Sequence, residues 1–204
     1  MPERVVGHRP DVVDPDRPDI LLLGTLRGGL RVAIRPLHPQ DREQLADGFE
    51  GLSERSRYLR FLTGKGRLSE TTLRSMVDQV DQHDHVALAM WWVRRSRADI
   101  LLGDARFIRL ADDPETADVA VTIADELHGQ GGAGLMLQAL VLRAHQEGVR
   151  RFSAVMAPDN AASHRMIARL GTVLRDEITD GVREMLVELD VPSVLGDLLA
   201  PAGP

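Results

Sequence analysis

The chain contains no cysteine. That excludes disulfides, thiolate-bound metals and a cysteine nucleophile together, and it suits a reducing cytoplasm. Aromatic residues are only 3% of the sequence, so the core has to be assembled mainly from Leu, Val, Ala and Met. An excess of basic charge is missing too. The formal net charge is −6, whereas a nucleic-acid partner demands a basic footprint. One local basic pocket for a cofactor phosphate stays compatible with that balance. Residues 1–7 lack the basic start and long apolar run of a signal peptide. The most apolar short run, residues 20–23, is far too short to cross a bilayer. The expectation is a soluble cytoplasmic protein with no nucleic-acid and no membrane partner.

The 204 residues are 43% apolar and 27% charged, which suits one globular domain with a substantial core. Residues 1–27 read as an N-terminal extension, partly disordered, because Pro2, Pro10, Pro15 and Pro18 break every period. Within it, residues 20–23 are expected to pack on the domain itself. The domain spans residues 28–190, and residues 191–204, with Pro192, Pro201 and Pro204, read as a C-terminal tail. Alternation at 30–35 predicts a strand. Three helices follow, the first opened by Pro39, the next two after Ser53 and Ser69. Residues 86–93, 99–110 and 118–123 form a meander of strands linked by short turns such as 94–98. A glycine-rich loop at 129–134 leads into a helix over 135–146 that Gly148 ends. A strand at 152–156 precedes a helix from Asn160 to Leu170 with Gly171 as its cap. Asp180-Gly181 then turns a closing hairpin. The class is α+β (mixed α/β): a single domain with a mostly antiparallel central sheet, one βαβ unit, and helices on both faces.

The glycine loop carries the functional argument. It runs Asp125-Glu126-Leu127-His128-Gly129-Gln130-Gly131-Gly132-Ala133-Gly134 between a strand and a helix. A helix start offers unpaired N–H donors and partial positive charge, and glycines let a diphosphate reach them. The donors would come from Gln130 to Gly134. A P-loop needs Gly-Lys-Ser/Thr, but Leu135 and Met136 follow Gly134. Gly129, Gly131 and Gly134 satisfy G-x-G-x-x-G literally, as a dinucleotide site would. Residues 124–128 intervene after the strand, however, and too little chain remains for the further βα units. A loop that merely reverses the chain is the plain structural alternative.

His128-Gly129-Gln130-Gly131-Gly132-Ala133 resembles the Gln/Arg-x-x-Gly-x-Gly/Ala motif of the GNAT acetyltransferase superfamily, with His128 in place of Gln or Arg. Ala144 and Gly148 fall where the family helix has its alanine and closing glycine. Asn160 and Leu170-Gly171 follow at the family's intervals. Val32-Ala33-Ile34-Arg35-Pro36, the stretch from Leu52 to Leu62, and His85-Val86-Ala87-Leu88 are similar to the acetyltransferase domain of bacterial Pat-type protein lysine acetyltransferases. Some members carry an added cyclic-nucleotide domain; none is expected within these 204 residues.

The resemblance implies direct attack of an amine on acetyl-CoA, without metal or covalent intermediate. A lysine amine has a pKa of about 10.4, so only about one in 2,500 is neutral at pH 7 and a general base matters. The family's glutamate base corresponds to Asp118, one methylene shorter. Glu126 is a rival, as is Asp125, although either could simply favour the helix start electrostatically. Val121, Thr122 and Ile123 are implied to pair with the pantetheine arm through their backbones, Ile123 also polarising the thioester carbonyl. His128 and the loop from Gly129 to Gly134 would hold the diphosphate. Asn160 would bind the pantetheine side, or cap its own helix. The family's tyrosine acid is replaced by Ile167, which leaves water or Ser163 to protonate the thiolate. Acetyl-CoA is thus the expected co-substrate, with no metal, and a protein lysine the favoured acceptor. A small amine is the alternative acceptor, and a catalytically weak acyl-CoA-binding module the alternative function. Monomer and homodimer both stay open.

Overall fold

A computed structural model of the chain describes residues 19–64, 66–93 and 100–199. The turn read at 94–98 and most of the N-terminal extension lie outside the described residues. Eight strands follow one another: β1 (Leu22–Thr25), β2 (Arg31–Pro36), β3 (His85–Trp92), β4 (Ile100–Arg109), β5 (Thr116–Ile123), β6 (Arg151–Met156), β7 (Gly171–Thr179) and β8 (Val182–Leu189). They form one sheet in the order β1-β2-β3-β4-β5-β6-β8-β7. Every neighbouring pair is antiparallel except β5–β6, which is parallel. The helices are α1 (Arg42–Glu50), α2 (Glu54–Phe61), α3 (Glu70–Leu73), α4 (Gly132–Gln146), α5 (Ala161–Ala168) and α6 (Val191–Leu199). This is the mixed α/β class expected, with β5-α4-β6 as the βαβ unit.

Two layers of side chains explain the pattern. β3 reads as an unbroken apolar run because both of its faces are covered. Val86, Leu88 and Met90 join Phe107, Met136, Leu140 and Phe152 in the larger core beneath α4. Ala87, Ala89 and Trp91 face the other way, onto Leu45, Met76 and Val77. The side chains of Ser53 and Ser69 cap α2 and α3 by accepting from the backbone N–H of Ser56 and Thr72. Asp180 and Gly181, at φ 51° and 81°, turn the β7–β8 hairpin.

The structure meets the sequence reading in its first strand and departs from it at several other places. Residues 20–23 do pack on the domain: Ile20 and Leu22 are buried, and β1 pairs with β2. Residues 191–199, read as tail, form α6, which buries Leu195 in the main core. The glycine-led helix begins at Gly132, three residues before the predicted start, because Gly131 at φ 93° takes the cap position. Gly171 does not cap α5; that helix ends at Ala168, and Gly171 opens β7. A Cβ there would lie 1.9 Å from the Glu188 carbonyl oxygen, so glycine permits β7 to approach β8.

Candidate active site

The site begins where the sheet opens. β5 and β6 pair only through Thr116–Arg151, Ala117–Phe152 and Asp118–Ser153, and then diverge. Past Asp118, β5 therefore has a free edge in the middle of the sheet. The Ala124 N–H donates to the Leu102 carbonyl at 2.9 Å. From that pair, antiparallel alternation makes Asp104–Thr122 and Arg106–Ala120 the bonded pairs of the β4–β5 ladder. The backbone groups of Val119, Val121 and Ile123 consequently face the gap. Those of Thr122 point to β4 instead, and its hydroxyl is buried without a partner. The Ile123 carbonyl sits 3.2 Å from Nε2 of His128, which leaves the Ile123 N–H facing the gap.

At the open end of the gap stands α4. Its first bond is Leu135 N–H to the Gly131 carbonyl, 3.1 Å. The N–H groups of Gly131, Gly132, Ala133 and Gly134 have no partner of that kind, as at any helix start. The N–H of Gln130 is already committed to the Leu127 carbonyl at 3.2 Å, so the donor set starts one residue later than the sequence reading placed it. Gly129 and Gly131 have φ of 75° and 93°, and a Cβ on Gly129, Gly131 or Gly134 would meet nothing within 4 Å. Bare amides therefore front open space, as a diphosphate requires. The residues present fit that group.

The candidate acids and bases are spread along this edge. Asp118 is exposed, at the last paired row before the gap. Glu126 lies in a short 3-10 turn, and its carbonyl accepts from the Gln130 side chain at 2.9 Å. Asp125 beside it is a tether: it accepts from the Ser53 N–H at 2.7 Å, the Ser53 hydroxyl at 2.8 Å and the Ser56 hydroxyl at 2.6 Å, fixing α2 to the loop. Burial opposes its charge, but hydrogen bonds from Ser56 and Ser53 outweigh that and hold its pKa below 3.8. Asn160 caps α5 through Ser163 N–H at 3.2 Å, the local role foreseen as one of its two. Ser163 is half-buried in the first turn of α5, and Tyr58 lies apart on α2, 46% exposed.

One buried cluster escaped the sequence reading. Asp104, Arg106 and His85 are all below 9% exposed on the α1–α3 side of the sheet, with Arg60 against them. The signal was present: Asp104 and Arg106 stand two apart in the apolar strand β4, hence on one face.

The family model described as acetyltransferase (GNAT) domain matches residues 31–173. Acetyltransferase Pat of Mycolicibacterium smegmatis is 32% identical over 170 residues, 83% of this chain and 48% of that protein. The chain thus spans about half the length of this relative. The crystal structure of the GNAT domain of the S. lividans PAT superposes with a TM-score of 0.72 at 27% identity, covering 82% of this chain and 96% of that one. A Salmonella typhimurium structure described with its cofactor acetyl-CoA shares the fold at 19% identity and a TM-score of 0.59, over 78% of this chain and 94% of that one.

Proposed function

Because the chain belongs to the GNAT acetyltransferase family, a family of acyltransferases, we propose that it transfers acetyl from acetyl-CoA to an amine, with a protein lysine as favoured acceptor. The observation that carries this is the gap itself: bare amides at one end, a free strand edge along it, and a carboxylate where it closes. From Ile123 to Asp118 is five residues, roughly 17 Å at about 3.3 Å each, a span of the order of an extended pantetheine arm.

The amides of Gly131 to Gly134 hold the diphosphate, and His128 stays as a neighbour of the loop. Backbone groups of Val121 and Ile123 bond the arm as an added strand would, and one of their N–H groups polarises the thioester carbonyl. Asp118 takes a proton from the amine, directly or through water. The neutral nitrogen then attacks the carbonyl carbon, the C–N bond forms and the C–S bond breaks, and the second proton that the nitrogen sheds reaches the departing thiolate through water or the Ser163 hydroxyl acting as a relay.

The acceptor would approach over β6, β8 and β7. Directly paired residues share a face, so Asp118 looks out on the same side as Ser153, Val155, Glu184 and Glu188. Helices α4, α5 and α6 pack on the opposite side, and Val155 is left 51% exposed. On that side Arg151 stands opposite Glu188 and Arg175 lies 3.7 Å from Glu184, so its exposed apolar surface, more than its charge, suits a large partner. The domain limits proposed with this function are 28–190, extended by the packing of β1 and α6.

The test is turnover: acetyl-CoA with lysine peptides and small amines, read as free CoA thiol. Asp118→Asn is expected to lower kcat by about 10²–10⁴ and leave acetyl-CoA affinity unchanged. Acetyl-CoA binding with no thiol release on any acceptor would instead make the chain a binding module.

A further inference from the structure

The turn between β1 and β2 meets the glycine loop from the side. Leu26 is buried and anchors the turn in the main core, while Arg27, Gly28 and Gly29 are exposed. Gly29, at φ 80°, donates its N–H to the Leu26 carbonyl at 2.8 Å, and the Leu26 N–H is held by the Leu30 carbonyl at 2.9 Å. The turn is therefore closed on itself. It is also hung on the loop. The Arg27 N–H donates to the Gln130 carbonyl at 3.1 Å, and Arg27 Nη1 to the Gly129 carbonyl at 3.4 Å. β1 comes equally near to α4: a Cβ on Gly24 would lie 2.5 Å from Leu135 Cδ2, in the first turn of that helix.

Arg27 thus stands beside the free amides. Gly129, which it touches, and Gly131, where those amides begin, are two residues apart, no more than about 7 Å along the chain. Among the described residues its side chain makes a single hydrogen bond, the long one to Gly129, which leaves Nε and Nη2 with no partner there. The loop's own side chains offer little to an anion. Residues 125–134 contain no lysine or arginine, and Asp125 and Glu126 are acidic. His128, standing where the family motif has Gln or Arg, places Nε2 at 3.2 Å from the Ile123 carbonyl. Bare amides alone would then face a cofactor that bears both a diphosphate and a 3′-phosphate. A guanidinium presents the planar fork of donors that phosphate oxygens accept. The match to the family model starts at residue 31, so this cation comes from residues in front of the shared domain.

Resting on the acetyl-CoA reading, we propose that Arg27 is a cofactor-binding residue. Its guanidinium receives a phosphate of CoA beside the amides of Gly131 to Gly134, and supplies from the N-terminal segment the permanent positive charge that the loop lacks.

The probes are CoA and 3′-dephospho-CoA, titrated calorimetrically into the full chain. Arg27→Met should weaken CoA binding by about fivefold to tenfold, and added salt should cost the parent more affinity than the variant. Arg27→Lys should recover part of the loss, because the charge persists without the fork. Arg67→Met removes an equal charge from an exposed pair with Glu50, outside the loop, and should bind CoA as the parent does. All three variants should melt with the parent, since both arginines are exposed and the bond from Arg27 to Gln130 is made by the backbone. A deficit confined to CoA assigns the contact to the 3′-phosphate, and an equal deficit with 3′-dephospho-CoA assigns it to the diphosphate; both support the residue. Arg27→Met that binds both probes as tightly as the parent, or Arg67→Met that loses as much, overturns the proposal and leaves the acetyltransferase reading standing. A parent that gives no heat with either probe removes that reading and this inference together.

Discussion

Replacing Asp104 by asparagine keeps the shape of the side chain and deletes its charge. Both Asp104 and Arg106 side chains are 5% exposed, and Arg60 Nη2 lies 3.9 Å from the same carboxylate. The variant would leave two buried guanidinium groups facing one neutral amide. Removing one partner of a buried pair costs about 3–5 kcal/mol, a large share of the roughly 5–15 kcal/mol that stabilises a domain. At about 2–4 °C per kcal/mol for a chain of this size, the melting temperature should fall by roughly 6–20 °C. Urea unfolding of parent, Asp104→Asn, Arg106→Met and the double variant gives the coupling directly, and the double should cost clearly less than the sum. The pH dependence adds a check of sign. Burial raises the Asp104 pKa, but the charge and hydrogen bonds of Arg106, with Arg60, outweigh it and hold the value below 3.8. A depressed carboxylate contributes stability that is fully present above its ordinary pKa and is lost as pH falls through the depressed one. The acid limb of the parent's stability curve should therefore be steeper than that of Asp104→Asn. A single variant that loses less than about 1 kcal/mol, with an unchanged acid limb, would refute the reasoning.

Other perturbations test the remaining parts. Gly171→Ala should lower the melting temperature sharply, because its Cβ would sit 1.9 Å from the Glu188 carbonyl oxygen; an unchanged melt would show that β7 yields freely. Gly131→Val should weaken acetyl-CoA binding in calorimetry, since the side chain both strains a φ of 93° and enters the space before the bare amides. Asp125→Ala should cost about 1–3 kcal/mol by removing the anchor of α2, and limited proteolysis near Ser53 should accelerate; equal digestion would argue against the tether.

Periodicity disclosed most of the fold, for a physical reason. β3, β4 and β5 are covered strands whose burial is written residue by residue into the chain, and the capping serines announced α2 and α3. Positions governed by distant contacts were silent. Gly171 looked like a helix cap because Leu-Gly ends many helices, while its real constraint is a carbonyl on β8, that of Glu188, seventeen residues further along. α6 was hidden by Pro192, although a proline near a helix start costs nothing. In the candidate site, the glycine run named the amides to within one residue, because Gly129 and Gly131 hold the positive φ that the turn into the helix requires. Thr122 could not be sorted from Val121 and Ile123 without the register of β4. The Asp104 cluster was legible only as an odd charge pair, since its other members, Arg60 and His85, come from remote segments.

The seam between β5 and β6 is three rows long. The slot therefore exists through bonds that the chain declines to make, and one additional rung would zip it shut. Any compound whose own amides complete the interrupted ladder should act as a missing strand, bracing the two half-sheets against each other far from where it touches them.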